Sequence, residues 1–211
     1  MTQLTEWLTK PLLEGIDLPI EIGDTVKMGR FKNKKVVLFG PAHRLGFSGI
    51  AATNVNGFST PLGNIPTAKD LVELSVAKKQ VFYEERAFDG EHCLEVQLPF
   101  LQSVLNDFEI APFVVGDCSS QNVADVIEAL WGGDETLIII SSDLSHFLDY
   151  QSCQVKDRLT ANNINNKNYK SIDTSDACGR TPIKALLRVA EKNNMQIQEI
   201  DVINSGDTAG N

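Results

Sequence analysis

Apolar residues fall into short dense runs separated by helical periodicity, and this pattern divides the chain into alternating elements. Residues 36–39 (Val-Val-Leu-Phe) form a continuous apolar run closed by Gly40 and Pro41, as expected of a strand covered on both faces. Residues 110–115, which end at Gly116-Asp117, and residues 136–140, which end at Ser141-Ser142-Asp143, repeat that pattern. A weaker run over residues 197–203 ends at Asn204-Ser205-Gly206-Asp207. Between the runs, helical spacing predicts helices over residues 67–79, 93–105, 120–130, 151–163 and 181–193. Thr181 followed by Pro182 reads as an N-cap and first-turn pair. At the front, Leu4, Trp7 and Leu8 suggest a helical turn or two before Pro11. Ile16, Leu18, Ile20 and Ile22 then alternate as in an edge strand, where Pro19 is tolerable. Strands buried on both faces and separated by helices imply an α/β fold, a three-layer α/β/α sandwich with a largely parallel or mixed central sheet.

Composition narrows this reading. The 211 residues are 42% hydrophobic, which supplies one sizeable core, so residues 1–211 are expected to form a single domain. The net charge of −9 argues against nucleic acid as a partner, because neutralising phosphates needs clustered Lys and Arg. The one basic cluster, Lys32, Lys34 and Lys35, is most simply a solvated turn. No stretch reaches the length of about 18 apolar residues that a membrane span needs, and no leader pattern opens the chain. The four cysteines form no CxxC pair and read as reduced thiols in a cytoplasmic protein.

The three histidines carry the most information. His43 follows the first clear strand and His146 follows the 136–140 run, so parallel strands would bring both to one rim of the sheet, where ligands of such folds sit. Asp143, three residues before His146, can orient its imidazole or take its proton; it reads equally as a helix N-cap. Cys178 lies just before a helix and close to Arg180, where dipole and charge would favour a thiolate. His92 stands between Glu91 and Cys93, with Glu95 one turn on, as a ligand or the support of one. Ser205 and Asp207 in the tail are expected at the same rim. Each of these is also readable as an ordinary structural residue; it is their common position at element boundaries that points to a site. There is no P-loop, no GxGxxG and no GxSxG nucleophile elbow.

Five segments, GPAHRLGFSG, EHCLEVQLPFLQ, IISSDLSHF, DACGRTPI and NSGDTAGN, resemble in order and spacing the Memo-like proteins, named for a mediator of receptor-driven cell motility. That family includes the AmmeMemoRadiSam system protein B group. The resemblance covers residues 36–211. It implies a fold related to the class III extradiol dioxygenases, which use a mononuclear non-haem iron. It further implies His43 and Cys178 as metal ligands, His146 as the acid/base histidine and Asp143 as an acidic neighbour in the same pocket; the EHC motif of His92 is ligand-adjacent. Family members usually open with a strand bearing Pro-His-Ala-Gly-Tyr, whose histidine is another ligand; here no histidine precedes His43. The front therefore reads as shortened or diverged, and a closing strand is expected beyond Asn211.

Two functional expectations follow about equally. One is a metal-dependent redox protein, with one Fe2+ or Cu+ at His43 and Cys178 and proton movement by His146. The other is a catalytically silent protein that binds a small-molecule or peptide ligand, or partners of a radical-SAM-linked modification pathway, the radical-SAM and AMMECR-type proteins. A thiol hydrolase using Cys178 with His146 as base is a weaker third, because no oxyanion-hole motif is visible.

Overall fold

In the computed structural model the described residues are 35–208; the expectations for residues 1–30 lie outside them. The three strong apolar runs form adjacent parallel strands. β1 (Lys35–Pro41) lies between β6 (Glu109–Val115) and β7 (Thr136–Ile140), with Phe39 opposite Phe113 and Ile140 in register. β2 (Ile50–Ala52) runs antiparallel to β6, and β5 (Phe82–Tyr83) pairs with β2, giving a mixed five-stranded sheet of order β5-β2-β6-β1-β7. A separate hairpin is formed by β3 (Gly57–Thr60) and β4 (Gly63–Pro66).

Alternation along the strands sorts side chains to two covering layers. Val37, Phe39, Ala111 and Phe113 face helices α1 (Lys69–Ala77), α3 (Ser120–Ala129), α4 (Tyr150–Asn165) and α5 (Arg180–Lys192). Val36, Leu38, Ile110 and Val114 face α2 (Leu98–Val104), the hairpin residue Ile65 and the turns around Leu94. This is the expected three-layer α/β sandwich, with one thin covering layer. Val36 to Phe39 are fully buried, and the Phe39 and Phe113 rings stack at 5.1 Å between centroids. Burial of each such side chain contributes about 1.5–3 kcal/mol, which makes β1 the energetic spine of the sheet. Among the described residues no helix is long and apolar enough to cross a membrane.

Three local expectations are corrected. The helix expected over residues 93–105 is a 3₁₀ turn, Glu95–Gln97, followed by α2, because Pro99 is tolerated only in a first turn and the α-helix restarts around it. Residues 197–203 form no strand: Glu199 accepts hydrogen bonds from Arg158 and Asn165 of α4, so the segment is tied down by side chains in place of a ladder. Helix α5 begins at Arg180 with Gly179 as its cap, two residues earlier than the Thr181-Pro182 reading. The Gly179 N–H donates to Ser142 Oγ at 2.8 Å, and a Cβ at Gly179 would lie 2.6 Å from Ser142 Cβ. Contact with the end of β7 therefore sets this helix start. Last of all, a short helix α6 (Ser205–Thr208) closes the described chain.

Candidate functional site

Because β1, β6 and β7 are parallel, their C-terminal ends share one rim, and the loops leaving it carry the chemistry. A cleft of about 390 Å³ opens there, and His43, Glu91, Cys93, Ser142, Asp143 and Cys178 are among its lining residues. The imidazole from the early sheet and the thiol from late in the chain thus face the same space.

One wall is built around Glu91. Its carboxylate, 3% exposed, accepts the His43 backbone N–H at 2.6 Å through one oxygen and meets the ring Nδ1 at 2.7 Å through the other. With Nδ1–H donating to Glu91, Nε2 is left as a base or ligand. Burial pushes the Glu91 carboxyl up, but the His43 and Arg44 backbone N–H groups and the His43 ring outweigh it and hold the acid below its ordinary range. Cys93 Sγ donates to Pro41 O at 3.2 Å; burial, with the nearby Glu91 charge, pushes this thiol far above its ordinary range. Its bed is Gly40, where a Cβ would stand only 2.4 Å from Cys93 Sγ.

The opposite wall joins the β7 loop to the turn before α5. Ligand atoms of Asp143, His146 and Cys178 lie within 4.8 Å of one another, as do those of His43, Glu91 and Cys93. The Asp143 N–H donates to Cys178 Sγ at 3.2 Å, Ser142 Oγ is 3.6 Å from the same sulfur, and His146 Nε2 is 3.6 Å from Asp143 Oδ2. Asp143 caps no helix; Asp149 caps α4, accepting from the Ser152 N–H. The loop is pinned from below by buried Asp157, whose carboxylate accepts from the Ser145 N–H at 2.9 Å.

Electrostatics on this wall run against one expectation. Burial pushes the Cys178 thiol up, and the Asp143 charge adds to this, so hydrogen bonds from Ser142 and the backbone do not bring it into the thiolate range. Proximity to α5 and Arg180 was expected to do the reverse. Burial also raises the Asp143 carboxyl, and the His146 and His43 charges offset that only in part.

Other expected site residues are placed differently. His92 lines the cleft but is 65% exposed and bonded to Glu95, away from the His43–Glu91 pair. Arg180 lines a neighbouring cleft that shares Cys178 with this one. Asp207 accepts from Tyr150 and lines a third cleft against α4, and Ser205 belongs to the same short helix, so neither joins the His43 cleft. Sequence reasoning passed over Glu91, whose neighbour His92 drew attention, and Asp157. The signal for Glu91 was its place in a turn, where burial follows no period and only the partner at His43 reveals it.

The donor chemistry fits a metal ion. Each wall brings a carboxylate, an imidazole and a thiol within 4.8 Å, His43 with Glu91 and Cys93, and His146 with Asp143 and Cys178, and such donors are a borderline-to-soft set. A deprotonated Cys178 would then be needed, so binding would release a proton.

The family described as Memo-like protein matches residues 26–211. A MEMO1 family protein of Metallosphaera sedula is 30% identical over 188 residues, covering 83% of this chain and 67% of the relative. Those of Sulfolobus acidocaldarius and Archaeoglobus fulgidus are each 29% identical, covering 83% and 82% of this chain and 66% and 70% of theirs. The chain spans about two thirds of the length of these relatives. With His43 and Cys178 facing one cleft at the strand ends, and with a match that takes in the whole described fold, this chain belongs to the Memo-like protein family.

Proposed function

We propose that this chain is a metal-dependent redox protein whose single Fe2+ or Cu+ is held by His43 and Cys178, with Asp143 as third donor. The observation that carries the reading is the His43–Glu91 pair. A buried carboxylate that fixes an imidazole through Nδ1 is the usual support of a metal-binding histidine, and it leaves Nε2 on a cleft that Cys178 and Asp143 also line. A bound ion would supply one-electron chemistry and Lewis acidity at the cleft. The chain's own residues do the rest. Glu91 holds the ring, the Asp143 and Gly179 backbone N–H groups and Ser142 organise the Cys178 wall, and His146, beside Asp143, moves protons between cleft and solvent. The cleft admits a small molecule or the side chain of a peptide.

A second reading is favoured by the raised Cys178 thiol: a protein that keeps the cleft, binds no metal, and serves radical-SAM and AMMECR-type partners. Anaerobic titration of the reduced protein with Fe2+ or Cu+ separates the two. The first predicts one ion per chain, lost in the His43→Ala/Cys178→Ser double variant. Equal uptake by both proteins, or none by either, contradicts it.

A further inference from the structure

Arg180 remains without a role, because it does not draw the Cys178 thiol down. It lines a cleft of about 590 Å³ that shares Cys178 with the His43 cleft, walled by Leu45, Phe47 and Pro182 and edged by Asp117. Arg180 is partly buried, and its guanidinium makes no hydrogen bond or ion pair among the described residues. Its charge reaches only as a minor influence on exposed Asp173. A partly buried arginine is commonly paired with an acceptor, since its five donors lose some hydration there.

The apolar wall is fixed in place. The Phe47 ring meets Phe82 edge-on at 5.8 Å, Phe47 O accepts the Asp117 N–H at 2.8 Å, and Asp117 O accepts the Gly49 N–H at 3.0 Å. The surface that would meet the body of a ligand therefore exists before any ligand arrives, which lowers the ordering cost of binding. The charge balance selects the anion. Among the described residues, Arg180 is the only cationic side chain on this cleft and Asp117 the only acidic one, so a singly charged group fits, while a dianion would meet one cation and a carboxylate.

We infer that this cleft is a binding site for a small monocarboxylate, its carboxylate paired with Arg180 and its apolar body laid along Leu45, Phe47 and Pro182. Cys178 lines both this cleft and the one that His43 lines, so a ligand held here lies beside the sulfur that both share. Only its identification as the substrate of the proposed redox centre rests on the metal reading; binding itself does not.

The test is run on metal-free protein, which keeps the two readings separable. Two-dimensional amide NMR is used to follow titration with 3-phenylpropionate, its neutral amide, and phenyl phosphate. The carboxylate is expected to bind with a dissociation constant of about 1 mM or tighter and to shift amides of residues 42–49 and 116–118. The amide and the phosphate should each bind more weakly by about tenfold or more. Arg180→Gln should weaken the carboxylate by a similar factor and leave the amide unchanged, Arg180→Lys should recover part of the loss, and His43→Ala should bind as the parent does. No saturable shift with the carboxylate, equal binding of acid and amide, tighter binding of phosphate, or an Arg180→Gln variant that binds like the parent would overturn the inference. Unchanged thermal unfolding of the Arg180 variants separates lost binding from lost fold.

Discussion

The two walls of the His43–Cys178 cleft are built on opposite principles. On one, a buried carboxylate grips both the backbone and the ring of His43, and the acid is stabilised in its charged form. On the other, Asp143, His146 and Cys178 are gathered by longer contacts of 3.2–3.6 Å, and burial favours the neutral forms of the acid and the thiol. The first wall is complete without a ligand. The second holds groups whose charged forms are only partly compensated, and that is the state a cation would relieve. One half therefore positions, and the other half responds.

The largest effect expected from breaking this contrast is on metal affinity. Glu91→Gln, which releases the ring but leaves every donor in place, should weaken binding by about 10–100-fold in a chelator competition. His146→Gln should leave affinity within a few-fold and instead alter the pH profile of turnover. Comparable losses in the two variants would mean that the walls do not differ in this way.

Next comes the pH dependence of stability in metal-free protein, where the two acids have opposite signs. Glu91 is depressed in the folded state, so its contribution is full above the ordinary carboxyl range, about pH 4.3, and is lost as pH falls through its lower folded value. Glu91→Gln should lower the unfolding midpoint at pH 7 and flatten its decline in acid. Asp143 is raised, so stability falls as pH rises from its unfolded value through its folded one. Asp143→Asn should therefore raise the midpoint at pH 7. Denaturant melts between pH 3 and 7 check both signs.

Smaller effects test the supports. A Cβ at Gly40 would stand 2.4 Å from Cys93 Sγ, so Gly40→Ala should cost about 1–3 kcal/mol by overpacking, and Cys93→Ala in the same chain should recover much of it. Asp149→Ala, which removes the α4 N-cap, should lower the unfolding midpoint slightly and leave Glu91-dependent behaviour untouched.

What could be read from the sequence divides along the same physical line. The parallel strands were legible because Val36–Phe39 and the isoleucines of β7 form dense apolar runs, and burial of a whole run needs no knowledge of its partners. His43, Asp143, His146 and Cys178 were legible as a group because each follows a strand or precedes a helix. Glu91 was not, since a carboxylate in a turn shows no periodicity and its burial depends on His43, 48 residues away. The start of α5 was misplaced for the same reason: Gly179 is fixed by Ser142 across the rim, a contact that outweighs the local Thr-Pro signal. Strand β2 and the β3–β4 hairpin are too short to show a pattern, and the tail's Asp207 is claimed by Tyr150.

The central claim is most directly tested by X-ray absorption on the iron- or copper-loaded protein, compared with its Cys178→Ser variant. One sulfur at about 2.3 Å together with nitrogen or oxygen neighbours, the sulfur vanishing in the variant, is the predicted result. A spectrum without sulfur, or one whose sulfur survives the loss of Cys178, would contradict it.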